Sequence, residues 1–200
     1  MALTRETIVD TALRLLDDVG LEALSLRAVG RALKVNASAL YWYFHDKQAL
    51  LDEMAATVSR RVHVDPPTTG EPWERGLRAL AAGLRASMLA QRDGAQLLTA
   101  ARPSADHLQF MNELFEAMGQ ADFSPTASSA AFFTVVSYVV GATLEQQRYV
   151  GTNVSEELPV ATDQLALAQA RAALPDWDAL YSSGLELILT GLRPGPPPAD

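Results

Sequence analysis

The chain has 200 residues, no cysteine and a formal net charge of −8 at pH 7. The absence of cysteine excludes disulfides, thiolate nucleophiles and sulfur-ligated metals, and a chain of this length buries a core without them. The charge is uneven, because residues 1–62 carry eight basic and eight acidic side chains whereas residues 63–200 carry eight and sixteen. A uniformly acidic surface repels DNA, which argues against nonspecific nucleic-acid binding by the whole surface, but here the acidity belongs entirely to the second part.

The first two predicted helices are marked by their capping residues. Thr4 suits the N-cap of a helix that has one apolar stripe, and Gly20 suits its end. Ser25 suits the N-cap of a second helix of about ten residues, in which Leu26 and Val29 face inward. Both helices therefore have an apolar side that must pack against a neighbour.

A short third helix follows after a tight break. Asn36 is a suitable N-cap for a helix over residues 37–44, and Asp46 caps a long fourth helix that runs towards His63. Two short helices joined by a tight turn predict a helix-turn-helix, the arrangement that places a recognition helix in the major groove of DNA.

The rest of the chain also has helical patterns. They resume near Trp73, after a linker at residues 66–70, and Gly and Pro divide them into about five or six further helices. The proline-rich tail over residues 194–200 is expected to be frayed. Because no sustained period-two alternation indicates a strand, we expect an all-α protein with about nine to ten helices.

Membrane insertion and export are not expected from the sequence. The N-terminus lacks the apolar segment of a secretory signal. The uncharged stretch over residues 123–144 is interrupted by serine, threonine and proline, which favours a buried helix over a membrane span. We therefore expect a cytoplasmic protein.

The third helix carries a run of aromatic residues. Leu40 and Phe44 are spaced to pack against the second helix, which leaves Tyr41, Trp42 and Tyr43 available to the outside. One interpretation is that these three are ordinary core and rim aromatics of a small domain. The other is that they contact the phosphates, sugars and thymine methyl groups of DNA.

Two basic residues flank this run: Arg27 is placed to reach guanine and Lys47 to bind a phosphate. The segment over residues 24–51, with its pattern LYWYF-x-x-K-x-x-LL, resembles the DNA-binding region of the tetracycline repressor family. Since Ala37 and Ala39 offer no side-chain hydrogen bonds, the operator should differ from those read by polar residues there. The resemblance implies DNA contacts at Arg27, Ala37, Ser38, Ala39, Tyr41, Trp42, Tyr43 and Lys47.

The resemblance continues to the C-terminus, through residues 92–95, 102–103, 141–147 and 184–192. It implies that the helix over residues 123–150 and the last helix pair with their two-fold mates in a four-helix bundle. Such a homodimer suits a palindromic operator. The alternative is that the long helix is simply buried in a monomeric core.

The resemblance also implies an effector pocket. His63 matches a drug-contacting histidine of the family, and Glu145 matches a glutamate near the metal. Leu98 replaces a magnesium-ligating histidine, and leucine offers Mg²⁺ no ligand. The sequence therefore favours a larger, mostly apolar effector that is neutral or carries a group to which His63 can hydrogen-bond, with no metal or cofactor. The implied pocket residues are His63, Leu80, Leu84, Leu98, Ala101, Arg102, Leu114, Phe132, Val136 and Glu145.

Other roles for these residues stay open. The leucines could instead fill the core. Arg102 could make only a contact at a helix end, and Glu145 could form an ion pair with Arg148. The remaining histidines, His45 and His107, are expected at the surface.

Together these features predict a ligand-responsive transcriptional repressor that binds double-stranded operator DNA as a homodimer. The alternatives are a repressor that responds to magnesium-tetracycline, and a helical ligand-binding protein with a vestigial DNA reader. The motifs HExxH, GxxxxGK[ST], GxGxxG and GxSxG are absent, so we expect no enzymatic activity. The predicted divisions are a helix-turn-helix domain at 1–47, a connecting helix at 48–64, a ligand-binding and dimerisation domain at 65–193 and the tail at 194–200.

Overall fold

A computed structural model of the chain describes residues 3–62, 65, 71–151 and 176–193. Within these ranges every regular element is an α-helix, which confirms the all-α prediction. The predicted tail, His63 and the linker at 66–70 lie outside the described residues. The helices are α1 (Arg5–Ala23), α2 (Leu26–Leu33), α3 (Ala37–Leu40), α4 (Lys47–Val62), α5 (Trp73–Leu89), α6 (Gly94–Ala100), α7 (Ala105–Gln120), α8 (Pro125–Gly151) and α9 (Trp177–Gly191).

The predicted caps of the first four helices are confirmed. Each cap side chain accepts a hydrogen bond from a backbone N–H two or three residues further on, at 2.7 to 3.2 Å. These bonds satisfy donors that have no partner within the helix, which fixes where each helix begins. The four capping residues are Thr4, Ser25, Asn36 and Asp46.

Of the predicted ends of α1 and α3, only the second needs correction. Gly20 breaks the helical geometry of α1 with a φ of 79°, as its predicted place at a helix end requires, and a short helical segment continues beyond it to Ala23. α3 ends at Leu40 rather than at residue 44, because the Leu40 carbonyl accepts from the N–H groups of both Tyr43 and Phe44, each at 2.9 Å, and closes a turn. The aromatic run therefore lies mostly in this turn.

The chain divides into two compact units, residues 1–117 and 118–200. The predicted functional boundaries at residues 47, 64 and 193 are not tested by this division and stay predictions. In the first unit, apolar residues of α1 to α4 form one core, to which Leu97 of α6 contributes a fully buried side chain. The largest buried members are Ile8, Leu16, Leu24, Leu40, Phe44, Leu50 and Met54.

The turn between α2 and α3 is tightly built. Lys34 has a left-handed conformation, with φ at 58°. A Cβ at Gly30 would lie 3.2 Å from the carbonyl oxygen of Val35, so glycine lets α2 approach the turn closely. This packing sets the position of α3.

In the second unit, α8 packs against α9. The Tyr138 hydroxyl donates to the carbonyl oxygen of Tyr181 at 2.8 Å, and the two rings are stacked. A Cβ at Gly184 would lie 2.1 Å from the Tyr138 hydroxyl oxygen, so only glycine allows this contact.

By length and composition, α8 is apolar enough to span a membrane over residues 125–148, and 33% of its apolar window is buried. A single helix of this kind is a weak indication of a membrane, because helices of soluble proteins pass the same test. The burial expected from the sequence is therefore only partial within one chain. Phe133 on this helix is 63% exposed, and Leu187 on α9 is 77% exposed.

Candidate nucleic-acid interface and ligand cavity

The turn after α3 presents two aromatic side chains to solvent. Trp42 is 90% exposed and Tyr41 is 52% exposed, whereas Phe44 is fully buried. Tyr43 differs from its neighbours, because it is half-buried and its hydroxyl donates to the carbonyl oxygen of Leu3 at 2.7 Å. Two of the three aromatics thus face outward, and the third ties the turn to the N-terminal segment.

The other predicted DNA contacts lie on α2, α3 and the start of α4. Arg27 and Ser38 are exposed, and the two predicted alanines of α3 are half-buried. The exposed Lys47 donates from its ammonium to the carbonyl oxygen of Leu21 at 3.2 Å. An ammonium has three N–H donors, so this bond is compatible with a further one to a phosphate.

Arg5 supports the turn from behind and has no counterpart among the predicted site residues. Its Nη1 donates to the carbonyl oxygen of Tyr43 at 2.5 Å, and its guanidinium carbon lies 4.4 Å from the centroid of the Phe44 ring. Its Nη2 also lies 3.1 Å from Oε2 of Glu53. No local pattern points to this role, because its partners are 38 to 48 residues away in sequence.

The first unit contains a cavity of about 400 Å³ between α4, α5 and the segment that begins α7. Its volume is within the range of small-molecule sites. One part of its wall is apolar and the other carries hydroxyl, amide, imidazole and charged groups. The lining residues are Ala56, Ser59, Arg60, Leu80, Gly83, Leu84, Ser87, Ser104, Asp106, His107, Gln109 and Phe110.

Leu80 and Leu84 of the predicted pocket line this cavity. Leu98 and Ala101 are instead half-buried against the core of the first unit, and Leu114 is fully buried in α7. The remaining predicted residues lie elsewhere or, in one case, outside the described residues. Arg102 pairs with α4, and the second unit holds Phe132, which is buried, Val136, which is half-buried, and Glu145, which is exposed.

Several polar residues of the cavity wall are absent from the predicted pocket. Ser87 is buried at 3% exposure, and Arg60 and Gln109 contribute larger polar groups. His107, expected at the surface, is half-buried in the wall, whereas His45 is exposed as predicted. Burial lowers the pKa of His107, so its imidazole is neutral at pH 7, with one ring nitrogen able to donate a hydrogen bond and the other able to accept one.

The end of α6 is fastened to α4 through Asp52. One carboxylate oxygen accepts from the Arg102 backbone N–H at 2.8 Å and from Gln48 Nε2 at 2.9 Å. The other accepts from Arg102 Nε at 2.8 Å and lies 2.7 Å from its Nη2. Partial burial raises the pKa of Asp52, but these hydrogen bonds outweigh it and hold the pKa below its ordinary value. The carboxylate therefore stays charged at neutral pH.

The start of α6 is fastened to the end of α1. The Arg92 N–H donates to Asp17 Oδ1 at 3.0 Å, and its Nη1 donates to the Asp18 carbonyl oxygen at 3.1 Å. Asp93 Oδ2 in turn accepts from the Leu21 N–H at 2.9 Å, beside the kink in α1. The two ends of α6 are thus fastened to α1 and to α4, and α4 is the helix that follows the exposed aromatic turn.

The second unit has a groove of about 390 Å³ between α8 and α9. Glu145 lies in this groove, where its Oε1 is 3.4 Å from Nη1 of Arg148, the ion pair considered as its alternative role. Both side chains are mostly exposed, so the pair contributes little to stability. The other lining residues are Tyr138, Ala142, Gln146, Trp177, Leu180, Tyr181, Ser183, Gly184 and Leu187.

Two family models match the chain. Residues 8–54 match the model described as bacterial regulatory proteins, tetR family, and residues 66–194 match the tetracyclin repressor-like C-terminal domain. The first match contains the aromatic turn and its supporting helices. The second contains the cavity residues of α5 and α7 together with α8 and α9.

Curated and solved relatives agree with both matches. The class C tetracycline repressor of Escherichia coli is 33% identical over 96% of this chain and 91% of its own length. A possible TetR family transcriptional regulator from Streptomyces coelicolor is 32% identical, with a TM-score of 0.78 over 95% of this chain and 98% of the other. The structure of BioQ with its double-stranded DNA operator is 27% identical, with a TM-score of 0.71 over 96% and 98%.

Proposed function

The chain belongs to the tetR family of bacterial regulatory proteins, and we propose that it represses transcription as a homodimer on a palindromic operator and is released by a mostly apolar small molecule. Its place of action is the cytoplasm, where the DNA is, and it needs no catalytic activity. The exposed Tyr41 and Trp42, with Arg27 and Lys47 at either side, form the surface offered to the operator.

One observation carries this proposal: α4 belongs to both sites. Leu50, Met54 and Val58 of α4 are buried in the core that supports the aromatic turn. Ser59 and Arg60 of the same helix line the cavity. A ligand that changes the position of α4 therefore changes the presentation of the turn, and by linkage the operator and the ligand must oppose each other by the same factor.

The homodimer is supported by apolar surface on the second unit. Phe133 and Leu187 are more than 60% exposed, and Leu180 is 44% exposed. Leu180 and Leu187 line the same groove between α8 and α9, and exposed apolar surface grouped in this way is typical of an interface. To bind successive major grooves, the two recognition turns of such a pair must lie about 34 to 36 Å apart.

The proposed effector site is the cavity between α4, α5 and the start of α7, which contains only part of the pocket predicted from the sequence. Leu80, Leu84 and Phe110 give the cavity an apolar wall, and the polar groups around His107 give it orientation and selectivity. The predicted contacts at His63, Leu98, Ala101, Arg102, Leu114, Phe132, Val136 and Glu145 remain proposals.

The test is a fluorescence anisotropy titration of labelled duplex from the chain's own upstream region, with compounds first selected by thermal shift with and without Mg²⁺. A selected compound should weaken operator binding of the wild type. Leu84→Trp fills the cavity and should raise the concentration needed, with each variant compared with its own compound-free titration. Release that is unaffected by this substitution, or a shift seen only for tetracycline with Mg²⁺, would contradict the proposal.

Dimerisation is tested separately by light scattering. Leu187→Lys places a charge on the proposed interface and should convert a dimer into a monomer, with a matching loss of operator affinity. A wild-type protein that is monomeric at micromolar concentration and still binds the palindrome would refute this part.

A further inference from the structure

Glu53 of α4 lies between two arginines, and each of its carboxylate oxygens contacts one of them. Oε2 is 3.1 Å from Nη2 of Arg5, and Oε1 is 3.1 Å from Nη2 of Arg60. Partial burial raises the pKa of Glu53, but the hydrogen bonds from Arg60 and Arg5 outweigh it and lower the pKa. The carboxylate is therefore ionised and bridges the two guanidinium groups.

One end of this bridge reaches the exposed aromatic turn after α3, residues 41–44, hereafter called the recognition segment. Arg5 donates to the Tyr43 carbonyl and lies over the face of the Phe44 ring. These two residues directly follow Tyr41 and Trp42, the aromatics that face solvent. A change in the position of the Arg5 guanidinium thus alters the support of the turn, through a backbone hydrogen bond and a cation–π contact.

The other end of the bridge lies in the cavity wall. Arg60 lines the cavity together with apolar residues such as Leu80 and Leu84. Among the described lining residues it carries a permanent positive charge, whereas Asp106 is acidic and His107 is neutral at pH 7. The wall therefore attracts a negative group near Arg60 and disfavours one near Asp106.

We propose that the effector is an organic anion with an apolar body, whose negative group takes Arg60 away from Glu53 and so loosens Arg5 from the recognition segment. This inference rests on the proposed function, because it assigns the ligand class and the means of release to the same cavity. The exchange needs little energy, since half-exposed ion pairs are weak. The apolar wall binds the body of the ligand, and the ion-pair bridge through Glu53 responds to the ligand's negative charge.

Two probes that differ only by one sulfonate group test this. 8-Anilinonaphthalene-1-sulfonate carries a sulfonate, and N-phenyl-1-naphthylamine is the same ring system without it. Both become fluorescent in apolar sites, and both are titrated against the wild type alone and against its complex with labelled operator. The sulfonate should raise the operator Kd of the wild type by about three- to fivefold, and the neutral probe should raise it less.

Substitutions at Arg60 and Glu53 separate the binding of the probe from its effect on operator binding. Arg60→Gln should remove the preference for the sulfonate over the neutral probe, and Arg60→Lys should restore it. Glu53→Gln should leave the sulfonate bound but bring its effect on the operator Kd close to onefold. If Glu53 has only a structural role, Glu53→Gln should weaken operator binding by the same factor with and without the sulfonate probe, so the effect of the probe on the operator Kd would stay as large as in the wild type. That result would overturn the inference.

The outcomes also distinguish the two proposals. If both probes release the operator equally and Arg60→Gln changes nothing, the anion inference is wrong while the cavity remains the effector site. If neither probe releases the operator and Leu84→Trp binds both as the wild type does, the cavity proposal fails, and the inference fails with it.

Discussion

Replacing Asp52 by asparagine tests the contact that fastens α6 to α4. The carboxylate accepts hydrogen bonds from the Arg102 backbone, the Arg102 guanidinium and Gln48 at 2.8 to 2.9 Å. Asparagine keeps the shape, but it loses the charge and turns an N–H₂ group towards one set of donors. Hydrogen bonds to a charged group contribute more than neutral ones, so the loss exceeds that of an ordinary surface pair.

The size of the stability loss in Asp52→Asn follows from how exposed the two partners of the ion pair are. Asp52 is 22% exposed but Arg102 is 66% exposed, so water screens much of the ion pair. The expected loss is about 1 to 2 kcal/mol of unfolding free energy. For a protein of this size, that corresponds to a fall in Tm of roughly 2 to 8 °C.

The assay is thermal unfolding followed by circular dichroism, with Asp10→Asn as the matched control. Asp10 pairs with Arg61 at 2.6 Å, but this pair is about half exposed on both sides and holds no part of α6. Asp10→Asn should therefore lower the free energy of unfolding by less than about 1 kcal/mol. Because the pKa of Asp52 is lowered below its ordinary value of 3.8, the difference between wild type and Asp52→Asn should be constant above about pH 5 and should shrink as the pH falls through 3.8. A Tm change no larger than that of the control would refute the reasoning.

Three further predictions follow from single sites. Arg27→Ala should weaken operator binding by roughly 1 to 3 kcal/mol at one base pair, and an equal loss across all operator variants in anisotropy titrations would instead assign Arg27 to a phosphate. Gly94→Ala should destabilise the protein by about 1 to 3 kcal/mol, because its Cβ would lie 2.1 Å from the Met88 carbonyl oxygen; unchanged thermal unfolding would show that the chain relaxes there. His107→Gln should reduce the loss of Tm between pH 7.5 and 5.5, because burial lowers the pKa of His107 and only the unfolded chain takes up a proton just below its ordinary value of 6.5. An equal loss in the wild type and the variant would contradict this.

The placement of the site residues shows what one sequence predicts poorly. Trp42 and Tyr41 face solvent as their spacing relative to Phe44 indicates, because a helical turn fixes which neighbours share a side. The cavity is different, since its wall combines α4, α5 and the start of α7. Residues such as Arg60 and His107 therefore join it from separate parts of the sequence, and no local pattern marks them.

The sequence alone determined the features that depend on near neighbours. N-caps are bonds between residues two or three positions apart, so Thr4, Ser25, Asn36 and Asp46 reveal where helices begin, and the aromatic motif identifies the family. Only the tertiary structure decided that Arg102 pairs with Asp52 and Arg5 with Glu53, residues 48 to 50 positions apart. Such pairs form because packing brings distant helices together, and that packing is a property of the whole core rather than of any segment.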